Sequence, residues 1–293
     1  MNTSFHSLME FEGAEDLKAE VTRWQTLSEN LKKTPTAVPV LLPDMLWVAK
    51  SGVGITSLLQ RLSAYLSERK NLMSFYGDVK FFEFQLNYCP PDRAFGELPR
   101  LMNETNRAAG FRSEFKGIIH IDCNAWLEHY REPHFVSLME YLAANSHKWL
   151  VILSVYSTNQ KDLHNLEAFL SMYLRIRKIN LPMPSTDELM ERLEAQLESY
   201  GLKLEASARE LLSETVEIIR ENPYFDGFKS LSMLCQDIVY TLFSQKSVPK
   251  VPLTAEDLSF FGPGSEYVSR TIAQITRKHR IGLLREEDEN NEQ

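Results

Sequence analysis

The sequence predicts an α/β fold, a five-stranded parallel sheet with helices on both faces, followed by a small all-helical unit. Three observations predict it. Short apolar runs of strand length alternate with amphipathic helical stretches up to about residue 183, the pattern of a parallel sheet covered on both faces. A glycine turn joins the first run directly to a helix. Beyond Pro182 and Pro184 only helical periodicity continues.

Each element follows from local pattern. In AEDLKAEVTRWQTLSENLKK (14–33), Leu17, Val21, Trp24, Leu27 and Leu31 recur at helical spacing. PTAVPVLLP is a proline-punctuated connection to MLWVA (45–49), a buried strand. SGVG turns the chain into TSLLQRLSAYLSERK, whose Leu58, Leu59, Leu62 and Leu66 face inward. VKFFEFQ (79–85), GIIHID (117–122), WLVILSVY (149–156) and RKINLPM supply the other four strands. Helices are expected at about 97–109, 133–145 and 162–173. Ser185 with Glu188 three residues on is an N-cap signal. It opens helices at roughly 186–200, 206–221 and 228–245. A Thr254–Asp257 cap and a last helix at about 264–279 precede a charged tail, REEDENNEQ, whose composition predicts disorder.

Composition narrows the function classes. The chain has 293 residues, 43% apolar and 25% charged, as in ordinary globular proteins. No run of eighteen apolar residues occurs, so no spanning helix is expected. The N-terminus lacks the basic start and apolar core of a signal peptide. Cys89, Cys123 and Cys235 lie far apart with no metal-ligand spacing, which fits a reducing, cytoplasmic setting. A net charge of −8 makes the chain a poor match for non-specific nucleic-acid binding.

The stretch AKSGVGITS (49–57) carries the chemistry. Phosphate loops work because consecutive backbone N–H groups and a helix N-terminus surround the anion. In the pattern G-x-x-x-x-G-K-[ST], lysine neutralises the phosphates and the hydroxyl holds magnesium. Here Gly52, Gly54 and Thr56 are present, but Ala49 stands at the first glycine and Ile55 at the lysine. Losing a cation aimed at developing phosphate charge costs a factor of at least about 10²–10³ in rate, by analogy with losing one oxyanion donor. Lys50, in the second position of the loop, matches the signature lysine of the deviant Walker ATPases and could partly replace it. The third strand ends in Asp122, where phosphoryl-transfer ATPases hold magnesium. The next residue is Cys123, where a carboxylate would activate water.

With these segments the chain resembles the AAA+ ATPases, a P-loop α/β domain with a helical lid, over nearly its whole length. In shape it is most similar to the branch that includes red-type Rubisco activase and the type VII secretion ATPases. EFEGAEDLKAEV resembles the family's opening helix beside the adenine, and STN ending the fourth strand resembles sensor 1, with Asn159 matching. YLRIRKINLPMPS resembles the arginine-finger segment, through Arg175 first and Arg177 second. YFDGFKSLSML resembles sensor 2, with Lys229 at the family's arginine.

The resemblance implies a nucleotide-binding set of Gly52, Val53, Gly54, Thr56, Ser57, Asn159 and Lys229. It implies inter-subunit residues Arg175 and Arg177, and Asp122 with Thr56 as magnesium ligands if Mg-ATP or ADP binds. Plainer readings stand beside these: Asn159 as a helix cap, the arginines as a solvated basic edge, Lys229 as a surface residue. Phe95–Gly96 would match the family's pore loop, but prolines surround it. The implied domains are a helical lead-in (1–36), an AAA+-like core (37–183), a lid (184–247) and a C-terminal extension (248–293).

The function this predicts is a catalytically impaired AAA+-like protein. It would be a scaffold, regulator or non-hydrolysing subunit beside a protein partner, either itself or an active AAA+ paralogue. The alternatives are a slow or non-hydrolysing ATP/ADP-binding switch, and a DNA-associated clamp-loader or initiator-like subunit using the basic helix with Arg270, Arg277, Lys278 and Arg280.

Overall fold

The computed structural model describes residues 3–11, 13–34, 39–50, 52–73, 78–86, 117–157, 159–222, 225–244 and 251–276. The expected helix at 97–109, the Phe95–Gly96 segment, Cys89, and residues 277–293 with Arg277, Lys278 and Arg280 lie outside them. The chain divides into two compact units, Met1–Lys50 with Ile55–Pro182, and Ser51–Gly54 with Met183–Gln293.

The first unit holds helices α1 (Thr3–Met9) and α2 (Glu15–Lys32), then strand β1 (Asp44–Ala49) and helix α3 (Ile55–Ser67). Strands β2 (Lys80–Gln85) and β3 (Gly117–Asp122), helix α4 (Pro133–Ala144) and strand β4 (Trp149–Val155) follow. Helix α5 (Gln160–Leu170) and strand β5 (Ile176–Leu181) complete it. The strands form one sheet in the order β2-β3-β4-β1-β5, every pair parallel. The middle strands are apolar almost throughout, and β4 is buried along its whole length. The edge strands carry the charges: Lys80 and Glu83 on β2, Arg177 and Lys178 on β5. Central strands of a parallel sheet are covered on both faces, whereas charge on an edge strand discourages further pairing.

One face packs Leu46, Ile119, Ile121, Val151 and Leu153 against Phe135, Leu138 and Met139 of α4 and Leu163 and Leu166 of α5. Residues on the opposite face alternate with these, and α3 packs against β2 and β3. Helix α1, which the sequence pattern did not single out, docks on α3. The Phe5 and Tyr65 rings lie 6.1 Å apart and Arg61 donates to the Ser7 carbonyl. Helix α2 is tied to β5 through Asp16, whose Oδ2 accepts from the Asn180 backbone N–H at 3.0 Å and its Nδ2 at 2.8 Å.

The second unit is helical: α6 (Thr186–Ser199), α7 (Ala206–Arg220), α8 (Phe228–Phe243) and α9 (266–276). The Ser185–Glu188 capping box is formed from both sides. Leu189, Leu193, Leu212, Val216, Leu234 and Ile238 centre its core. The Thr254–Asp257 bond also forms, with Asp257 Oδ2 accepting from the Thr254 N–H at 2.9 Å and its hydroxyl at 2.8 Å. It opens no α-helix: turns at 255–258 lead into a single 3₁₀ turn, Ser259–Phe261. The Phe261 carbonyl is held there by the Thr215 hydroxyl at 2.8 Å. No helix among the described residues is long and apolar enough to cross a membrane.

Candidate functional site

Parallel topology sends every strand's carboxyl end to one edge of the sheet, where α/β proteins place their ligands. Lys50 follows β1, Asp122 ends β3, and Asn159 follows β4. Since β3, β4 and β1 are neighbours, the first unit brings these residues to adjacent strand ends. Arg175 lies at the other edge, immediately before β5, whose Ile176 pairs with Asp44 at the start of β1. Six-residue strands put the two edges about 20 Å apart. Arg175 donates from Nη2 to the Leu41 carbonyl at 3.1 Å, and both Arg175 and Arg177 are exposed.

The loop that joins β1 to α3 groups with the helical unit. Gly52 and Gly54 have φ of +86° and +88°, a region that glycine alone enters without strain. The Gly52 carbonyl accepts from the Phe228 N–H at 3.0 Å, so the amino end of α8 is capped by the loop. The approach is backbone to backbone. A Cβ on Gly52 would fall 1.9 Å from the Asp226 oxygen, and one on Gly227 would fall 2.4 Å from the Gly52 oxygen. Gly227, the N-cap of α8, has no side chain to offer, and the loop carbonyl supplies the acceptor an Asp or Ser would give. Val53 is buried. Lys229 is exposed and lines a cavity of about 210 Å³ in the helical unit, together with Asp226, Asp237 and Tyr267.

At the start of α3, Ile55 is half-buried, while Thr56 and Ser57 are exposed. Thr56 Oγ1 donates to Glu83 Oε1 at 3.1 Å. Asp122 is engaged elsewhere, its Oδ1 accepting from the Asn124 backbone N–H at 2.9 Å and Nδ2 at 2.7 Å. Asn124 Oδ1 in turn accepts from the Tyr156 N–H at 2.6 Å. The thiol of Cys123 is fully buried and burial drives its pKa far upward, with the neighbouring Asp122 charge adding to the rise. Asn159 caps α5, its side chain accepting from the Lys161 N–H at 3.0 Å.

Sequence reasoning passed over a polar seam on the α3 face of the sheet. Glu83 pairs with His120 across β2 and β3, and Asp122 with Ser154 across β3 and β4. His120 Nε2 meets Ser154 Oγ at 2.9 Å, and His120 Nδ1 faces Glu83 Oε1 at 3.7 Å. Burial lowers the imidazole pKa from 6.5 to about 4, so the ring is neutral. The available signal was one polar residue inside each of two apolar runs, GIIHID and WLVILSV. Asp44, at the amino edge, is buried and its pKa is raised to about 7 by desolvation, against the lowering effects of the Val151 N–H and the Arg175 charge. Among the described residues no group of three or more His, Cys, Asp or Glu could hold a metal ion.

No protein-family model and no curated protein matches the sequence. Solved structures do. C. elegans PCH-2 is similar over 95% of this chain and 74% of its own, at a TM-score of 0.52 and 14% identity. The RuvB Holliday junction branch migration motor of Thermotoga maritima is similar over 84% of this chain and 67% of its own, at a TM-score of 0.50 and 10% identity. A point mutant of RuvB reaches a TM-score of 0.51 at 12% identity, over 87% and 70% of the two chains. The fold is that of the AAA+ P-loop ATPases.

Proposed function

We propose that this protein is a catalytically impaired AAA+-like protein that serves as a scaffold, regulator or non-hydrolysing subunit of an assembly. One observation supports the reading: a glycine loop leads into α3, and neither the residue that opens the helix nor the one after Asp122 offers the cation or carboxylate that the resemblance calls for. Gly52 and Gly54 keep their positive φ and the loop caps α8. The first residue of α3 is Ile55 in place of a cation, and the residue after Asp122 is a buried, fully protonated thiol in place of a base. A loop retained for packing needs its glycines and not its lysine.

Such a subunit works through a neighbour, either a second copy or an active AAA+ paralogue. Arg175 and Arg177 are the residues assigned to that contact. Their exposure at the amino edge, away from the chain's own strand ends, suits action in trans, as arginine fingers act. The buried free thiols of Cys123 and Cys235 are in keeping with a reducing, cytoplasmic setting.

The test is phosphate release from ATP by the full chain, alone and mixed with its partner. The expected result is no release above background alone. Turnover at an ordinary ATPase rate by the isolated chain sinks the reading.

A second reading, a non-hydrolysing ATP/ADP-binding switch, is favoured by the oxygen donors that remain. Thr56, Glu83 and Asp122 suit a hard cation, and the amino end of the 13-residue helix α3 suits a phosphate. Mg-nucleotide, when bound, would supply the missing positive charge through its own metal. Calorimetric titration with ADP and ATP decides it: no heat and no thermal stabilisation at millimolar nucleotide ends this reading.

A further inference from the structure

The polar seam gives one carboxylate a task that the sequence assigned to another. Glu83 is the acceptor of the Thr56 hydroxyl at 3.1 Å. Behind it stands His120, 4% exposed, whose Nδ1 has no hydrogen-bond partner among the described residues and lies 3.7 Å from the same Glu83 oxygen. A neutral imidazole has one N–H and one lone pair. Were Nδ1 bare, its lone pair would face an anion from inside the protein. With the proton on Nδ1, the Ser154 hydroxyl donates to Nε2 and the N–H points at Glu83. This tautomer satisfies Nε2 and sets an N–H, in place of a lone pair, on the side of the carboxylate. Ser154, His120, Glu83 and Thr56 then follow one another across β4, β3, β2 and the start of α3. Asp122 spends one oxygen on the turn with Asn124, which also anchors Tyr156.

We propose that Glu83, in place of Asp122, is the carboxylate that serves Thr56. A divalent cation entering with a nucleoside di- or triphosphate is held at the Thr56 hydroxyl with Glu83 as its carboxylate partner, and His120 is the positioning residue behind it. A hydroxyl that donates its proton to a carboxylate keeps its lone pairs for a cation, and hard cations take such oxygen donors. Groups that orient a ligand in this way tune metal affinity by about 10–100-fold. The proposal rests on the nucleotide-binding reading above.

The test uses the full chain, ADP and Mn²⁺, with free Mn²⁺ read by electron paramagnetic resonance and ADP binding measured in parallel with EDTA. The expected result is that Glu83→Gln weakens Mn²⁺-dependent ADP binding at least about tenfold and leaves binding in EDTA unchanged. Asp122→Asn should have the smaller effect on the Mn²⁺-dependent part. Glu83→Asp, which keeps the charge, should recover part of the loss, and thermal unfolding of each variant confirms that it is folded. A loss from Asp122→Asn equal to or larger than that from Glu83→Gln overturns the proposal. So does an equal loss with and without metal. Absence of any Mn²⁺-dependent binding in the unaltered chain also overturns it, while leaving the non-hydrolysing scaffold reading intact.

Discussion

Replacing Gly52 by alanine should unfold the helical unit far more easily than Gly201→Ala, a change of similar backbone strain. The new Cβ meets the Asp226 carbonyl oxygen at 1.9 Å, its carbon at 2.1 Å and the Gly227 nitrogen at 2.7 Å. All three are backbone atoms, so no rotamer relieves the clash. Ordinary contact requires the amino end of α8 to retreat by about 1.5 Å, which breaks the Phe228 N–H bond to Gly52. An alanine at φ +86° costs roughly 1–2 kcal/mol. Leaving the Phe228 donor unpaired adds about 1–3 kcal/mol. The sum is roughly 2–5 kcal/mol. Gly201, at φ +76° with nothing within 4 Å of its Cβ position, isolates the strain, and Gly201→Ala should cost only about 1–2 kcal/mol. The assay exploits the tryptophans: all four (Trp24, Trp47, Trp126 and Trp149) belong to the α/β unit. Helical ellipticity should therefore melt in Gly52→Ala at a temperature where tryptophan emission is unchanged. If Gly52→Ala and Gly201→Ala unfold alike within about 0.5 kcal/mol, the loop does not support α8 and the reasoning fails.

Two buried groups should pull the pH dependence of stability in opposite directions. The folded pKa of His120 is depressed from 6.5 to about 4, so its contribution is present above 6.5 and is lost as pH falls towards 4, roughly 3 kcal/mol in all. The folded pKa of Asp44 is raised from 3.8 to about 7, so its contribution is present below 3.8 and is lost as pH rises towards 7, roughly 4 kcal/mol. Denaturant titrations between pH 4 and 6.5 should therefore show Asp44→Asn losing stability on acidification faster than the parent, and His120→Gln gaining relative to it; equal slopes in all three would contradict both assignments. Ile55→Lys should tighten ADP binding by about tenfold or more through a charge-assisted bond, yet leave hydrolysis at background because Cys123 still stands at the base position; calorimetry and phosphate release check the two halves separately. Asn159→Ala should cost α5 about 1 kcal/mol of stability and Asn159→Asp almost nothing, since either oxygen can accept from Lys161; equal losses would show that the cap is not its role.

The sheet was legible because each central strand is a near-continuous apolar run, and GIIHID was located to the residue. The Ser185–Glu188 box was legible for a local reason: both of its hydrogen bonds lie within four residues of chain. Thr254–Asp257 shows the limit of that logic. The same signature formed the same bond, yet Gly262 and Pro263 follow a single 3₁₀ turn, and what the chain does next is set by Phe261 entering the core. Helix α1 escaped notice because seven residues show too little periodicity, and its docking partners Arg61 and Tyr65 lie more than fifty positions away. The loop's glycines could be read as a phosphate motif, but not their contact with Asp226 and Gly227, which spans about 175 positions of sequence. Glu83 was hidden for the same reason. Nothing local distinguishes a strand-edge glutamate from a solvated one until α3 brings Thr56 to it.

The central claim is that the fold keeps the form of an ATPase without its turnover, and steady-state phosphate release from Mg-ATP by the pure full-length chain tests it most directly. The account predicts release indistinguishable from buffer, and still so in Ile55→Lys. Sustained release by the unaltered chain on the order of 1 s⁻¹, abolished by Asp122→Asn, would contradict it.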